Sequence, residues 1–354
     1  MGVEAVGPTA RDLRGKHIFV DVLAQFAART QHPRLRAVDK RLRAPVRVAV
    51  RGRRGVGSGA VARALDATGV PAFGQGVCVV RGAAPAEAGA PAEADVQVVV
   101  IAEALKPEDR AMIGTDTPTV IVLNKADLGG REPGGPLASA DRCATAIAEL
   151  VGLPVVPMVA LLASAEIDEQ DAAVLRALAA TPVDMTSTDA FVAAEHPVPP
   201  QLRHRLLRRL DRFGIAHAVL ACVDGAPPAA ISESLRALSR VDRLVESLAA
   251  IEAEVGYRRV CAALDDLSRL AAESRDDELA AFLVSDEVVI SVMAAAVAVV
   301  EAAGEPVDRG DDPQAHQRRA VHWRRDAAGA LDDVRRRCGR DIARGSLRLL
   351  GQVR

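Results

Sequence analysis

Between Val46 and Leu162 short apolar runs alternate with alanine-rich helical stretches, and this rhythm constrains the fold more than any other feature of the chain. VRVAV, GVCVV, DVQVVVIAEA, TPTVIVLNKADL and PVVPMVALLAS read as strands. SGAVARALDAT, KPEDRAMIG, SADRCATAIAELVG and EQDAAVLRALAA read as helices. Apolar strands separated by helices fit a mostly parallel sheet covered on both faces, so the expected class is α/β. GAAPAEAGAPAEA, between Arg81 and Asp95, is a low-complexity loop too poor in large apolar groups to pack.

The flanking segments read differently. Residues 11–43 form one long helical stretch, with Leu13, Ile18, Phe19, Val22, Phe26 and Leu35 at roughly helical intervals and a break or kink near Pro33. Beyond Thr181 the character changes: HPVPPQ (196–201) is a proline-rich connector, and nearly everything after it is helical. GIAHAVLACVDG fits either a strand or a buried helix. The expected division is an N-terminal helical segment (1–45), an α/β domain (46–181) and an all-α bundle (200–354). Val288 to Val300, the most apolar stretch, is shorter than the ~20 residues a membrane span needs and reads as a buried bundle helix. The arginine-rich C-terminal tail reads as a solvated helix face, with a patch for an acidic partner as the alternative.

Composition excludes several classes of function. A net charge of −2 gives no global reason to expect nucleic acid or a membrane surface. One Trp and one Tyr argue against stacking platforms for single-stranded nucleic acid. The five cysteines form no CxxC pair, and the seven histidines show no metal-ligand spacing, so no metal site is expected. Charges interrupt MGVEAVGPTARDLRGK too early for a signal-peptide core, and a cytoplasmic location is the default expectation. No cluster looks catalytic, and Ser58 lacks a recognisable histidine or acid companion.

Two motifs carry chemistry. RVAVRGRRGVGSGAV (Arg47–Val61) runs from a strand through a glycine loop into a helix, the usual cradle for a nucleotide phosphate. TVIVLNKADL (Thr119–Leu128) runs from an apolar strand into Asn124-Lys125-Ala126-Asp127, the NKxD guanine pattern. A carboxylate there accepts two hydrogen bonds from N1 and N2 of guanine, a donor pair adenine lacks. The Lys125 stem packs over the base, and Asn124 ties neighbouring loops together. Lysine occurs only four times in the chain, which adds weight to Lys125.

On these motifs, residues 46–181 resemble the G domain of translation-factor-like and dynamin-like bacterial GTPases. The resemblance implies a P-loop GTPase-like sheet and an N-terminal helix that returns to pack on the C-terminal bundle. The family loop GxxxxGK[ST] matches Gly52, Arg53, Arg54, Gly55, Val56, Gly57, Ser58 and Gly59. Ser58 therefore replaces the phosphate-neutralising lysine, and Gly59 replaces the hydroxyl that ligates Mg²⁺. No DxxG motif precedes VQVVVIAEA, and Val159-Ala160 stands where a Ser-Ala pair is expected, with Ser164-Ala165 a few residues late.

Hydrolysis in this family needs Mg²⁺, the loop lysine and a water-orienting switch, so their joint loss implies a pseudo-GTPase without catalytic residues. The resemblance implies weak or no GTP/GDP binding, no Mg²⁺, and a paralogous intact GTPase as heterodimer partner, or self-association. A peripheral membrane contact is an option, and nucleic acid is not. The alternatives are a slow or partner-activated GTPase using Arg53 or Arg54 in place of the lysine, and a scaffold that binds no nucleotide.

Overall fold

The computed structural model describes residues 15–71, 73, 77–81, 94–114, 117–130 and 133–352. All but the last residue of the low-complexity segment 82–94 and the start of the long N-terminal helical stretch lie outside the described residues. The chain divides into two compact units: Met1–Pro45 with Ala250–Arg354, and Val46–Ala249.

The chain opens with α1 (Gly15–Thr30) and α2 (Pro33–Arg43). The break between them has a local cause. Gln31 turns left-handed at φ 53°, His32 caps α2 by accepting from Arg34 N, and Pro33 sits in the first turn, where its missing N–H costs nothing.

The second unit follows with β1 (Val46–Gly52), α3 (Ser58–Thr68), β2 (Val77–Arg81), β3 (Val96–Ala102), α4 (Pro107–Arg110), β4 (Thr119–Asn124), α5 (Gly135–Val151), β5 (Val155–Met158) and α6 (Glu169–Ala180). It ends with α7 (Thr188–Ala193), α8 (Pro200–Val223), α9 (Pro228–Ser239) and α10 (Val241–Ala250). The five strands are all parallel, in the order β2-β1-β3-β4-β5. Every residue of β4 and all but the last of β3 is buried, as a central strand covered on both faces requires. The order reverses between β1 and β3, and ligands of such sheets bind outside the carboxyl ends at that reversal. Here those ends are Gly52 and Ala102.

Two expectations about the α/β region need correction. The run PVVPMVALLAS does not continue as a strand: β5 stops at Met158 and a 3₁₀ turn spans Ala160–Leu162. Val159 N donates to Ser239 O, and Ala160 N to the Asn124 side chain, so both leave the sheet ladder. The boundary expected before residue 200 falls instead after Ala249, because α8, α9 and most of α10 belong to the α/β unit. Leu206, Leu210 and Ile215 of α8 and Ile231 and Leu235 of α9 share a core with Leu162, Leu175 and Ile121. Asp171 of α6, fully buried, accepts from Arg205 and Arg209 of α8. The segment GIAHAVLACV, ambiguous by sequence, is the second half of α8, beyond a break at Asp211 (φ 54°, ψ 178°).

The helical unit is completed by α11 (Glu252–Ser274), α12 (Asp277–Leu283), α13 (Asp286–Ala302), α14 (Pro313–Gly329) and α15 (Asp333–Gln352). Its core joins Phe19, Leu23 and Phe26 of α1 to Val292, Ala296 and Val300 of α13 and to Trp323 of α14. Val288–Val300 lies in the largely buried α13. Among the described residues no single helix is long and apolar enough to cross a membrane; α12 and α13 reach that length only together, across a 42° bend. The C-terminal arginines are not one solvated face. Arg319 is buried and bonded to Ser346 and to the Asp308 and Gly310 carbonyls, and Arg335 is paired to Glu305 and Asp326.

Candidate functional site

The glycine loop leaves β1 where the chain passes closest to its neighbour. A Cβ on Gly52 would lie 2.6 Å from Val100 O of β3, so only glycine allows this approach. The loop then turns through Gly55 and Gly57, both at φ 90°, a region costly for residues with a Cβ. Gly57 caps α3 without a side chain, and Ala60 N and Val61 N both bond to its carbonyl. The first-turn N–H groups of Ser58 and Gly59 have no acceptor within the helix and form its positive end.

Asn124, the last residue of β4, brings the two motifs together. Its Nδ2 donates to Val56 O in the glycine loop at 2.8 Å, and its Oδ1 accepts from Ala160 N at 3.0 Å. The side chain is only 4% exposed, so it is a satisfied, buried cross-link between the loops after β1 and β5. An amide is required, because one partner needs a donor and the other an acceptor. A Cβ on Gly57 would fall 2.3 Å from Asn124 Nδ2, so the loop glycine and the NKAD asparagine depend on one another.

The next residue, Lys125, is exposed and left-handed (φ 60°, ψ 40°) and swings the chain into the 3₁₀ turn Ala126–Leu128. Asp127 sits half-buried in that turn. Burial pushes its carboxyl above the usual range; its own backbone N–H and Lys125 oppose the shift, and the charge of Asp211 adds to it. Sequence reading missed Asp211, since nothing in α8 announced a break that would bring its carboxylate into this field.

The two loop arginines differ. Arg53 is committed: its Nε donates to Asp109 Oδ1 at 2.6 Å and its Nη2 to Asp109 Oδ2 at 3.1 Å. Asp109 is fully buried, while Arg53 is 26% exposed. Lys106 N also donates to Asp109 Oδ2, at 3.0 Å. The hydrogen bond that Arg53 donates to Asp109 is the chief cause of its raised pKa; burial opposes it, and the charges of Asp109, Glu108 and Glu103 add to it. Arg54 is exposed and has no ion pair among the described residues. The only trace of Asp109 in the sequence was an acid two residues after Pro107 in a short helix. That pattern marks a helix start and does not reveal a buried ion-pair partner.

Ser58 is half-buried. A Cβ on Gly59 would meet only Arg63 Nη1, at 3.8 Å, so the missing hydroxyl is not excluded by crowding. Ala160, where the resemblance expects the alanine of a Ser-Ala pair, is tied to Asn124, whereas Ser164 is exposed four residues later. A cavity of about 340 Å³ in this unit lies between α3 and β2, against Leu65, Val70, Phe73 and Val79, and is lined by none of the loop or NKAD residues. Among the described residues no group of three or more His, Cys, Asp or Glu could hold a metal ion. Comparison with protein-family models, with curated proteins and with solved structures finds no match.

Proposed function

We propose that the α/β unit is a degenerate dynamin-like G domain, a pseudo-GTPase that works by association and not by turnover. The observation that carries this reading is the Asn124 cross-link, which ties the glycine loop to the turn after β5. A tight turn with no nucleotide ancestry has no need of a buried asparagine followed by Lys125 and Asp127. Ser58 and Gly59 then leave the loop without the lysine and hydroxyl on which phosphate and Mg²⁺ chemistry depends. Guanine-nucleotide binding is accordingly weak or absent, and the natural partner is an intact GTPase of the same type, or a second copy of this chain.

Calorimetric titration of the full chain with GDP, GTP and ADP tests the nucleotide half of the reading. Weak guanine-selective heat that disappears in Asp127→Asn, or no heat with any of the three, agrees with it; tight GTP binding or an equal response to ADP overturns it. Co-purification with a GTPase carrying an intact GK[ST] loop tests the partner half. Arg54, exposed and without an ion pair among the described residues, favours a second reading, a slow or partner-activated GTPase. That reading requires GTP turnover by purified protein that is lost in Arg54→Ala.

A further inference from the structure

The Arg53–Asp109 pair is more than a structural ion pair, because of where the topology places it. It joins the two carboxyl ends, those of β1 and β3, that flank the reversal of strand order. We propose that Asp109 is an internal anion that occupies Arg53 and holds the glycine loop in a state that refuses the phosphates of a guanosine di- or triphosphate. This rests on the reading of the loop given above and extends it: affinity is set by competition between the Asp109 carboxylate and the incoming phosphate.

Three observations support the competition. The geometry is two-pronged, 2.6 and 3.1 Å, and matches the way a guanidinium grips a phosphate, so the protein carboxylate uses the donors a ligand would need. Asp109 is also held in place independently of Arg53. Lys106 N donates to it, and the segment carrying it is anchored by the buried Gln97 side chain, whose Nε2 donates to Met112 O at 2.6 Å. Finally, Glu103 and Glu108 also act electrostatically on Arg53 and add to the hold that Asp109 has on it. A phosphate arriving at the first-turn N–H groups of Ser58 and Gly59 finds the arginine engaged.

The test is calorimetric titration of the full chain with inorganic pyrophosphate and, separately, with GDP and ADP. Three chains are compared: wild type, Asp109→Asn, and Asp109→Asn with Arg53→Ala. Asp109→Asn keeps an acceptor for Lys106 N but removes the charge. Freeing one charge-assisted contact should tighten pyrophosphate binding about 10- to 100-fold. The double variant should lose that gain. A folded Asp109→Asn chain with unchanged pyrophosphate affinity overturns the proposal.

Pyrophosphate has no base, so it separates this proposal from the guanine reading. A pyrophosphate gain without preference for GDP over ADP sustains the internal anion and sinks guanine recognition; a GDP preference without the gain does the reverse. If Asp109→Asn does not fold, Asp109→Ser replaces it, since a hydroxyl still accepts from Lys106 N and carries no charge. The same tightening is expected, and a folded Asp109→Ser chain with unchanged pyrophosphate affinity overturns the proposal.

Discussion

Replacing Asn124 by alanine should destabilise the α/β unit by about 2–5 kcal/mol. The figure follows from what the side chain satisfies. Val56 O loses its donor at 2.8 Å and Ala160 N its acceptor at 3.0 Å, in a site where Asn124 is 4% exposed. Each buried group left without a partner costs about 1–3 kcal/mol, and two are left here. Urea unfolding followed by far-ultraviolet circular dichroism measures the loss as a lower midpoint at unchanged slope. Asn124→Asp sharpens the test. One carboxylate oxygen still accepts from Ala160 N, but the other now faces Val56 O, acceptor against acceptor, with a buried charge added. At pH 7 this variant should be at least as unstable as the alanine variant. Its folded-state pKa must lie above the unfolded value of about 3.9, so stability returns as pH falls through that raised pKa, when the protonated acid can donate to Val56 O. An alanine variant within about 0.5 kcal/mol of wild type, or an aspartate variant that is indifferent to pH, would refute the cross-link as a structural element.

Gly55→Ala and Gly57→Ala share φ 90°, so both should cost about 1–2 kcal/mol. Gly57→Ala should cost at least about 1 kcal/mol more, because its Cβ meets Asn124 Nδ2 whereas Gly55 faces open space. Equal thermal shifts would contradict this. Asp171→Ala removes the buried carboxylate that pairs Arg205 and Arg209, which keep their bonds to Gln170 Oε1 and Glu166 O; since both arginines are more than one-third exposed, the loss should fall near the low end for broken buried pairs, about 3 kcal/mol, read by urea titration. His316 is buried with Nδ1 held by Arg319 Nη2, and burial and then the arginine charge lower its pKa, while Asp311, Asp312 and Asp308 oppose them. The folded chain therefore favours the neutral ring. Stability should be intact above about pH 6.5, the unfolded value, and fall as pH drops below it toward the lowered folded pKa; His316→Gln should flatten that slope in a melting-temperature series between pH 7.5 and 5.

Local chemistry settled much of this protein from its sequence. The valine-rich runs at 96–102 and 119–124 could only be covered strands, because no face of either could be left to water. Glycines 52, 55 and 57 marked a loop where the backbone must turn left-handed or pass close to a neighbour, since φ preference and the lack of a Cβ are properties of the residue itself. The Asn-Lys-Ala-Asp element named the partner of that loop.

What stayed hidden depended on distance along the chain. That α8 and α9 belong with the sheet was decided by Asp171 meeting Arg205 and Arg209 and by Gly214 fitting against Leu162; amphipathic helices state that they have a partner, not which one. The same holds at the site. By sequence Arg53 was only one of two alternative cations for a phosphate, and the parallel register of β1 with β3 brought it to a buried carboxylate 56 residues away. A sequence fixes the charge and reach of a side chain, but which charges neutralise each other is set by which strands lie side by side.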